Sequence, residues 1–474
     1  MTARANKTFT QVDADDLDNI LAKTVMSRDD IEKTVDEFYE DLTTACNDSF
    51  RTQPAHKTQM TNRSLPWWNE ELTTMRKRLN ALRRRYQRTT NKEDLRAQRR
   101  AQYLEGKARY TLKIKNEKLR SWKAFCNITP GNNPWNEVYK IAAGKMKTKV
   151  NLTTLKKVDG SYTKDTADTL QYMLEHFTPE DDIKDDDDVH RRARAQSQLP
   201  IGTDDDKEFT VLEIRNALES LGNKKAPGED GITGEIYKSA FEIFPSYLTA
   251  IYNGCLNRGV FPTRWKRTKL IPITKPGKDN CEDVTKFRPI SLINTGGKAL
   301  EKALITRINH HVFSHNYMHS NQFGFTPKKS TTDAIMAAKT AITEGMSAGD
   351  VIVLASLDIK GAFDAAWWPA ILNGLRAYKC HNNLFKLVRN YFTQRYAYLS
   401  TNNHRFQKNV SKGCSQVSMC GPGLCNIQNN SILNLNFTER TTAIAFADDL
   451  LLITRGESVR EAENFANIDM GKIN

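Results

Sequence analysis

Two adjacent aspartates interrupt an apolar run late in this 474-residue chain. Ala443–Ala447 and Leu450–Ile453 flank Asp448-Asp449, a pattern of two short strands joined by a polar turn. Adjacent carboxylates in such a place repel each other and lose hydration. They stay ionised only with a cation or hydrogen-bond donors close by. A second apolar run, Val351–Leu357, ends at Asp358 and reads as a buried strand that delivers a carboxylate at its tip. Three carboxylates on two neighbouring strands suit a pair of Mg²⁺ ions, which are hard and prefer oxygen. Two such ions, about 3.5–4 Å apart, activate one oxygen and stabilise the departing one in an in-line phosphoryl displacement.

The charge points to the same class of partner. The chain holds 70 Lys+Arg against 56 Asp+Glu, a net +14. From Arg76 to Lys123 there are 18 basic residues and four acidic ones (Glu93, Asp94, Glu105 and Glu117), so this stretch alone carries the whole excess. Leu72, Met75, Leu79, Leu82 and Tyr86 recur at steps of three and four, the seam of an amphipathic helix. Thr90-Asn91-Lys92-Glu93 has capping-box spacing for a second helix, given an apolar side by Tyr103, Tyr110, Ile114 and Trp122. The spacing predicts a basic helical hairpin over residues 71–126. A solvated coiled coil is the plainer reading. Yet Arg83-Arg84-Arg85, with Arg99 and Arg100, lack interleaved acids and need phosphates to relieve their repulsion, which favours nucleic-acid contact.

No apolar run approaches the ~18–20 residues that cross a bilayer, so no membrane partner is expected. Met1–Asp18 lacks the apolar stretch of a secretory signal. Eight cysteines without a CxxC pair read as reduced intracellular thiols. Residues 1–70 are mixed and mildly acidic, with a helix near Asp29–Cys46, and read as a linker region. The Pro66-Trp67-Trp68-Asn69 cluster packs this region onto the basic hairpin. Residues 127–206 read as a connecting segment. It holds a hairpin turn at Asp159-Gly160, a helix over Thr166–His176, and a solvated acidic linker from Pro179 to Asp206 around Asp185–Asp188. From residue 207 the composition is that of a folded domain with helices and strands.

Seven ordered blocks then carry a resemblance. Phe446-Ala447-Asp448-Asp449 resembles the F-A-D-D box of the reverse transcriptases of non-LTR (LINE-type) retrotransposons. Ala226-Pro227-Gly228-Glu229-Asp230-Gly231-Ile232 is similar to that family's first fingers motif. Pro272–Lys278 and Phe287-Arg288-Pro289-Ile290-Ser291-Leu292 are similar to its second. Gln322-Phe323-Gly324-Phe325, with Ser330–Ala334, is similar to the segment before the first catalytic strand. Asp358-Ile359-Lys360-Gly361-Ala362-Phe363-Asp364 resembles motif A, and Gly413-Cys414-Ser415-Gln416 with Gly421-Pro422 resembles motif B. The likeness covers about residues 205–474. Pro66-Trp67-Trp68 and the basic stretch also resemble the region between endonuclease and polymerase in jockey and ribosomal-DNA-inserting elements.

The resemblance implies an α+β fold for residues 207–474: the fingers and palm of a right-hand polymerase, with an antiparallel palm sheet of three or four strands. It implies target-primed synthesis of DNA on an RNA template, with deoxynucleoside triphosphates, a DNA primer or target and two Mg²⁺ ions, at a nuclear site of action. Asp358 and Asp448 would be metal ligands with Asp449 beside them, and the Ile359 carbonyl joining. Arg288 and Lys275 would neutralise the triphosphate, and Gln416 would lie near the sugar of the nucleotide. Phe363, five residues after Asp358, would be the steric gate against a ribose 2′-hydroxyl, with a plain core role as the alternative. His310, His311, His315 and His319 lack acidic or cysteine partners and are set aside as a metal site. Trp367-Trp368 reads as packing.

The chain departs from the family pattern in places. Motif B reads Ser415-Gln416-Val417-Ser418 where the family has proline-glutamine-glycine-serine, and a branched valine should obstruct close approach of the backbone. Gly423, Cys425 and Thr326 replace the usual leucine, tryptophan and arginine. Against the family's pattern the endonuclease, the last palm strands, the primer grip and the thumb are expected to be missing. The expectation is a truncated, inactive copy, with a nucleic-acid-binding remnant as the alternative function.

Overall fold

The computed structural model describes residues 11–27, 30–49, 67–90, 93–128, 154–275, 282–359, 361–401 and 403–473. Parts of three sequence motifs lie outside them: Asn91-Lys92, Pro276-Gly277-Lys278 and Lys360, as does Pro66. The chain divides into two compact units, residues 1–50 with 151–474, and residues 51–150.

In chain order the elements are α1 (Gln11–Ser27), α2 (Ile31–Ser49), α3 (Glu70–Gln87), α4 (Glu93–Ile128), α5 (Thr166–Phe177), α6 (Asp188–Gln198), α7 (Val211–Glu219), α8 (Gly234–Ile243), α9 (Pro245–Arg258) and the single turn α10 (Thr263–Lys266). They continue with β1 (Arg267–Thr274), β2 (Phe287–Leu292), α11 (Thr295–Ser314), α12 (Thr331–Ser347), β3 (Val351–Asp358), α13 (Trp368–Ala377), α14 (Asn382–Tyr391), β4 (Arg395–Ser400), β5 (Arg405–Val410), α15 (Gly421–Leu433), β6 (Thr441–Phe446), β7 (Asp449–Gly456) and α16 (Val459–Ile473). The fold is α+β, with helices surrounding two separate sheets.

The first sheet runs β2-β1-β4-β5, with β1 and β4 parallel and the other pairs antiparallel. Helix α5 covers it through Leu170, Met173, Leu174 and Phe177, which bury against Leu270, Phe287, Ala397 and Leu399. The second sheet is antiparallel, in the order β3-β7-β6. Side chains alternate along its strands. Ile444 and Ile453 pack with Ala334 and Ala341 of α12 on one face. Ala443, Ala445, Leu450 and Leu452 pack with Leu433 of α15 on the other. The largest core lies among the helices, centred on fully buried Trp265, Tyr237, Tyr252 and Phe261.

Residues 11–49, read from the sequence as linker, are part of that core. Ile31, Val35, Phe38 and Tyr39 repeat at helical spacing and are buried in it. The Trp265 indole donates to the Tyr39 hydroxyl at 3.0 Å. The Asp18 carboxylate accepts from the backbone N–H groups of Ser246 (2.9 Å) and Tyr247 (2.7 Å), satisfying donors in the first turn of α9. A polar average composition hid this narrow apolar stripe.

The acidic tract over 179–206 is likewise folded and not a solvated linker. Arg194 donates to both oxygens of Asp181 (2.6 and 2.8 Å) and pairs with Asp186, and the guanidinium holds the Asp186 carboxyl below its ordinary range. Asp187 caps α6 by accepting from the His190 N–H at 2.8 Å. Asn373 of α13 donates to the Ala193 carbonyl at 2.9 Å, which fixes α6 on α13. The expected turn at Asp159-Gly160 is present, with Gly160 at φ +84° and Lys156 bridged to Tyr162.

In the unit of residues 51–150, α3 and α4 form the expected hairpin. Gly106 lets the helices close up, since a Cβ there would sit 3.1 Å from Leu82 Cδ1 and 3.6 Å from Leu79 Cδ1. Tyr86 and Tyr103 stack at 6.3 Å, 8° from parallel. Asn69 caps α3 by accepting from the Leu72 N–H at 2.9 Å. Trp122, expected on the apolar side of α4, is 45% exposed instead.

Candidate active site

The strand register opposes two of the three aspartates and leaves the third on the adjoining turn. Asp358, the last residue of β3, is the cross-strand partner of Asp449, the first residue of β7, and Asp449 also pairs with Phe446 of β6. Directly opposed residues project to the same face of a sheet, so Asp358 and Asp449 share one face. Ala447 and Asp448 form the two-residue loop between β6 and β7. Thus Asp448 lies on the hairpin turn and Asp449 opens the strand that follows it. Asp358 and Asp449 are exposed, and Asp448 and Ile359 are half-buried.

Among the described residues none of the three carboxylates has a basic partner within ion-pair distance. No three acidic, histidine or cysteine side chains there stand close enough to hold a metal ion as they are. The donor set is nevertheless all oxygen, uncompensated and accessible, which is the chemistry a hard divalent cation requires. The histidines have other tasks. His311 Nε2 donates to the Tyr378 carbonyl at 2.7 Å, and His319 Nδ1 accepts from the Asn321 N–H at 3.1 Å.

Beside the aspartates, motif A and motif B lie back to back. The Cys414 N–H donates to the Phe363 carbonyl at 2.6 Å and the Gly413 N–H to the Ala366 carbonyl at 2.7 Å. Gly413, at φ +92°, must be glycine, because a Cβ would lie 2.6 Å from the Asp364 carbonyl oxygen. Gln416 Nε2 donates to both Asp364 oxygens at 3.1 Å, and its backbone carbonyl accepts from the Ser291 N–H of β2 at 3.3 Å. Burial raises the Asp364 carboxyl above its ordinary range, while the Gln416 amide and nearby Lys275 hold it down. Underneath, buried Arg395 donates to Ser415 Oγ at 3.2 Å, and buried Glu301 accepts from Ser418 Oγ (2.9 Å), the Met419 N–H (2.8 Å) and the Tyr391 hydroxyl (2.8 Å).

The remaining residues singled out by sequence lie on the β1–β2 hairpin and in the segment after β3. Lys275 follows β1 and donates its N–H to the Lys286 carbonyl at 2.8 Å. Arg288 opposes Ile273, two residues before Lys275, so the strand period puts both cations on one side of the β1–β2 hairpin, where Arg288 is exposed. Phe363 is half-buried against the main core and meets the exposed ring of Phe325 edge to face at 6.2 Å, so it is neither wholly core nor free.

Known proteins match one part of the chain. Residues 273–468, which run from the end of β1 into α16 and include motif A, motif B and Asp448-Asp449, match the family described as reverse transcriptase (RNA-dependent DNA polymerase). The chain carries a reverse transcriptase domain. The chain is 28% identical over 393 residues to a Pol polyprotein from the type-1 retrotransposable element R1 of Bradysia coprophila, covering 83% of this chain and 38% of that protein. It is 28% identical over 277 residues to the RNA-directed DNA polymerase from mobile element jockey of Drosophila melanogaster, covering 56% of this chain and 29% of the relative. The chain spans about a third of the length of these relatives.

Within the reverse transcriptase domain, the one strained position of motif B is Val417. Its φ is +73°, a region a β-branched residue enters only under constraint, and its side chain is 58% exposed. Sequence reasoning did not assign a role to Asp364 or Gln322. Asp364 was visible as the last residue of the motif A block. Only the folded contact with Gln416 shows what it does.

In the separate hairpin, Arg83, Arg84, Arg85 and Arg100 are exposed, as phosphate contact requires. Arg99 is not. It is half-buried, and its guanidinium donates to Thr89 Oγ1 at 2.7 Å, tying α4 to the end of α3. Trp67 and Trp68 serve the hairpin, under Lys118 at 4.8 Å and Arg76 at 5.1 Å.

Proposed function

We propose that the chain is the polymerase core of a non-LTR retrotransposon, extending a DNA primer on an RNA template with deoxynucleoside triphosphates. The observation that carries this reading is the pairing of Asp358 with Asp449 across the β3–β7 ladder, with Asp448 on the adjoining turn. In right-hand polymerase terms, the three-stranded sheet is the palm and the β1–β2 hairpin belongs to the fingers.

The reaction is attack of the primer 3′-hydroxyl on the α-phosphate, with pyrophosphate leaving. Asp358, Asp448 and Asp449, with the Ile359 carbonyl, would hold Mg²⁺, which supplies Lewis-acid stabilisation of the attacking and departing oxygens. Lys275 and Arg288 neutralise the triphosphate from one side of the hairpin. Asp364 accepts from Gln416 Nε2 and so fixes the amide that would lie near the sugar of the nucleotide. Phe363, buttressed by Phe325, closes the space that a ribose 2′-hydroxyl would need. The exposed arginines of the α3–α4 hairpin bind the phosphate backbone.

The test is primer extension by the full chain on an RNA template. Incorporation of deoxynucleotides that falls by at least about a hundredfold in Asp448→Ala, with nucleic-acid affinity unchanged, is the expected result. A second reading rests on Val417. If strain in motif B has disabled the cleft, the chain binds nucleic acid through the hairpin and extends nothing, with or without Asp448.

A further inference from the structure

The Asp448 turn depends on an uncommon backbone conformation. Ala447 stands at φ +60°, which an L residue adopts only when its surroundings over-determine it. The surroundings come from residues 321–324, which lie more than a hundred positions earlier in the chain. The Phe323 N–H donates to the Ala445 carbonyl at 2.8 Å, and the Ala445 N–H donates to the Asn321 carbonyl at 3.0 Å. Asn321 Nδ2 donates to the Ala443 carbonyl at 2.9 Å. This short segment adds itself in parallel to the free edge of β6. Gly324 presses on the turn so closely that a Cβ would run into the Ala447 backbone nitrogen. From the other side, Asn426 of α15 donates to the Gly324 carbonyl at 2.7 Å, which ties the same segment to the motif B helix.

At the centre is Gln322, fully buried. Its Oε1 accepts from the Gly324 N–H at 3.1 Å and from the Ala447 N–H at 3.3 Å. Two backbone donors converge there, so the amide must present its oxygen to them. Its Nε2 is left buried with no hydrogen-bond partner among the described residues. A buried orphan donor is unfavourable by itself, so the contacts of the oxygen must offset it. The amide is useful there only for its acceptor.

We infer that Gln322 is a positioning residue for the catalytic turn: its buried carbonyl oxygen locks Ala447 and so holds Asp448 beside the Asp358–Asp449 pair for metal binding. The inference rests on the polymerase reading for its consequence in catalysis, but not for its structural content. Gln322 touches no reacting atom and acts through the turn.

The test compares Gln322→Met, which keeps the length and removes the acceptor, with Gln322→Glu, which keeps an acceptor oxygen. Amide hydrogen exchange of peptides across residues 443–450 and Mn²⁺ titration are measured on the full chain, together with primer extension. In Gln322→Met, exchange at the turn should speed up by about tenfold or more while the rest of the β6–β7 ladder keeps its protection. Mn²⁺ binding should weaken, and kcat should fall by about tenfold or more with the deoxynucleotide KM within about threefold, as for a misplaced catalytic group. Gln322→Glu should stay close to the wild-type chain in all three. Wild-type exchange and Mn²⁺ affinity in Gln322→Met overturn the inference, and so does a Gln322→Glu chain that behaves like the methionine variant. Should Gln322→Met loosen the whole sheet, Gln322→Glu decides alone, retention supporting and loss overturning. A wild-type chain that extends no primer removes the polymerase reading, and hydrogen exchange still decides on Gln322.

Discussion

At the scale of single residues, the clearest conflict between sequence and backbone is at Val417. Glycine enters the positive-φ region without steric cost, whereas a branched side chain there costs on the order of 1–3 kcal/mol. Part of any gain on replacement is lost, because glycine has more backbone freedom to give up on folding, about 0.5–1 kcal/mol. Val417→Gly should therefore stabilise the chain by about 1 kcal/mol in urea denaturation and raise the rate of deoxynucleotide incorporation. No gain in either measurement would mean that the turn is relaxed with valine in place. Asp358, Asp448 and Asp449 announce themselves because apolar strand residues flank them directly. Asp364 and Gln322 do not, because each acts through a partner far along the chain, 52 residues away in the Asp364–Gln416 contact and 125 in the Gln322–Ala447 contact. Local pattern carries no information about such pairs.

At the scale of elements, the basic hairpin separates two kinds of arginine that composition treats alike. Helix α4 has 36 residues and α3 has 18, so at ~1.5 Å per residue α4 runs about 27 Å longer than its partner. The seam is readable from Leu72 to Tyr86 because steps of three and four survive in the sequence. The end of the pairing is not, and Trp122, expected on a covered face, is exposed. Replacing Arg83, Arg84 and Arg85 together by glutamine should weaken nucleic-acid binding and reduce the slope of log affinity against log salt by about 2–3, since each lost phosphate contact releases fewer counterions. Arg99→Gln should leave that slope nearly unchanged and instead lower the melting temperature of the hairpin, because its guanidinium is occupied with Thr89. Equal salt slopes for the two variants would show that exposure does not sort these arginines by role.

At the scale of the whole molecule, the division of labour differs from the one that composition suggests. Average polarity marks residues 1–70 as linker and residues 71–126 as the first structured element. The core reverses this. Among the described residues, every member of the four hydrophobic clusters lies outside residues 51–150, whereas Val25, Ile31, Val35, Phe38 and Tyr39 belong to the largest of them. Phe38 alone meets three aromatic rings at centroid distances of 5.5 to 6.0 Å. Truncating it leaves a cavity as well as losing transfer energy, so Phe38→Ala should destabilise the larger unit by about 3–5 kcal/mol. Deleting residues 71–125 should change the melting of that unit by less than about 1 kcal/mol equivalent, while abolishing most salt-dependent nucleic-acid binding, because the whole net charge of +14 resides between Arg76 and Lys123. Calorimetry and salt titration of the two variants therefore move in opposite directions: one loses the fold and the other loses the binding. A hairpin deletion that melts the larger unit, or a Phe38→Ala chain of wild-type stability, would contradict this assignment of stability and charge to different parts of the chain.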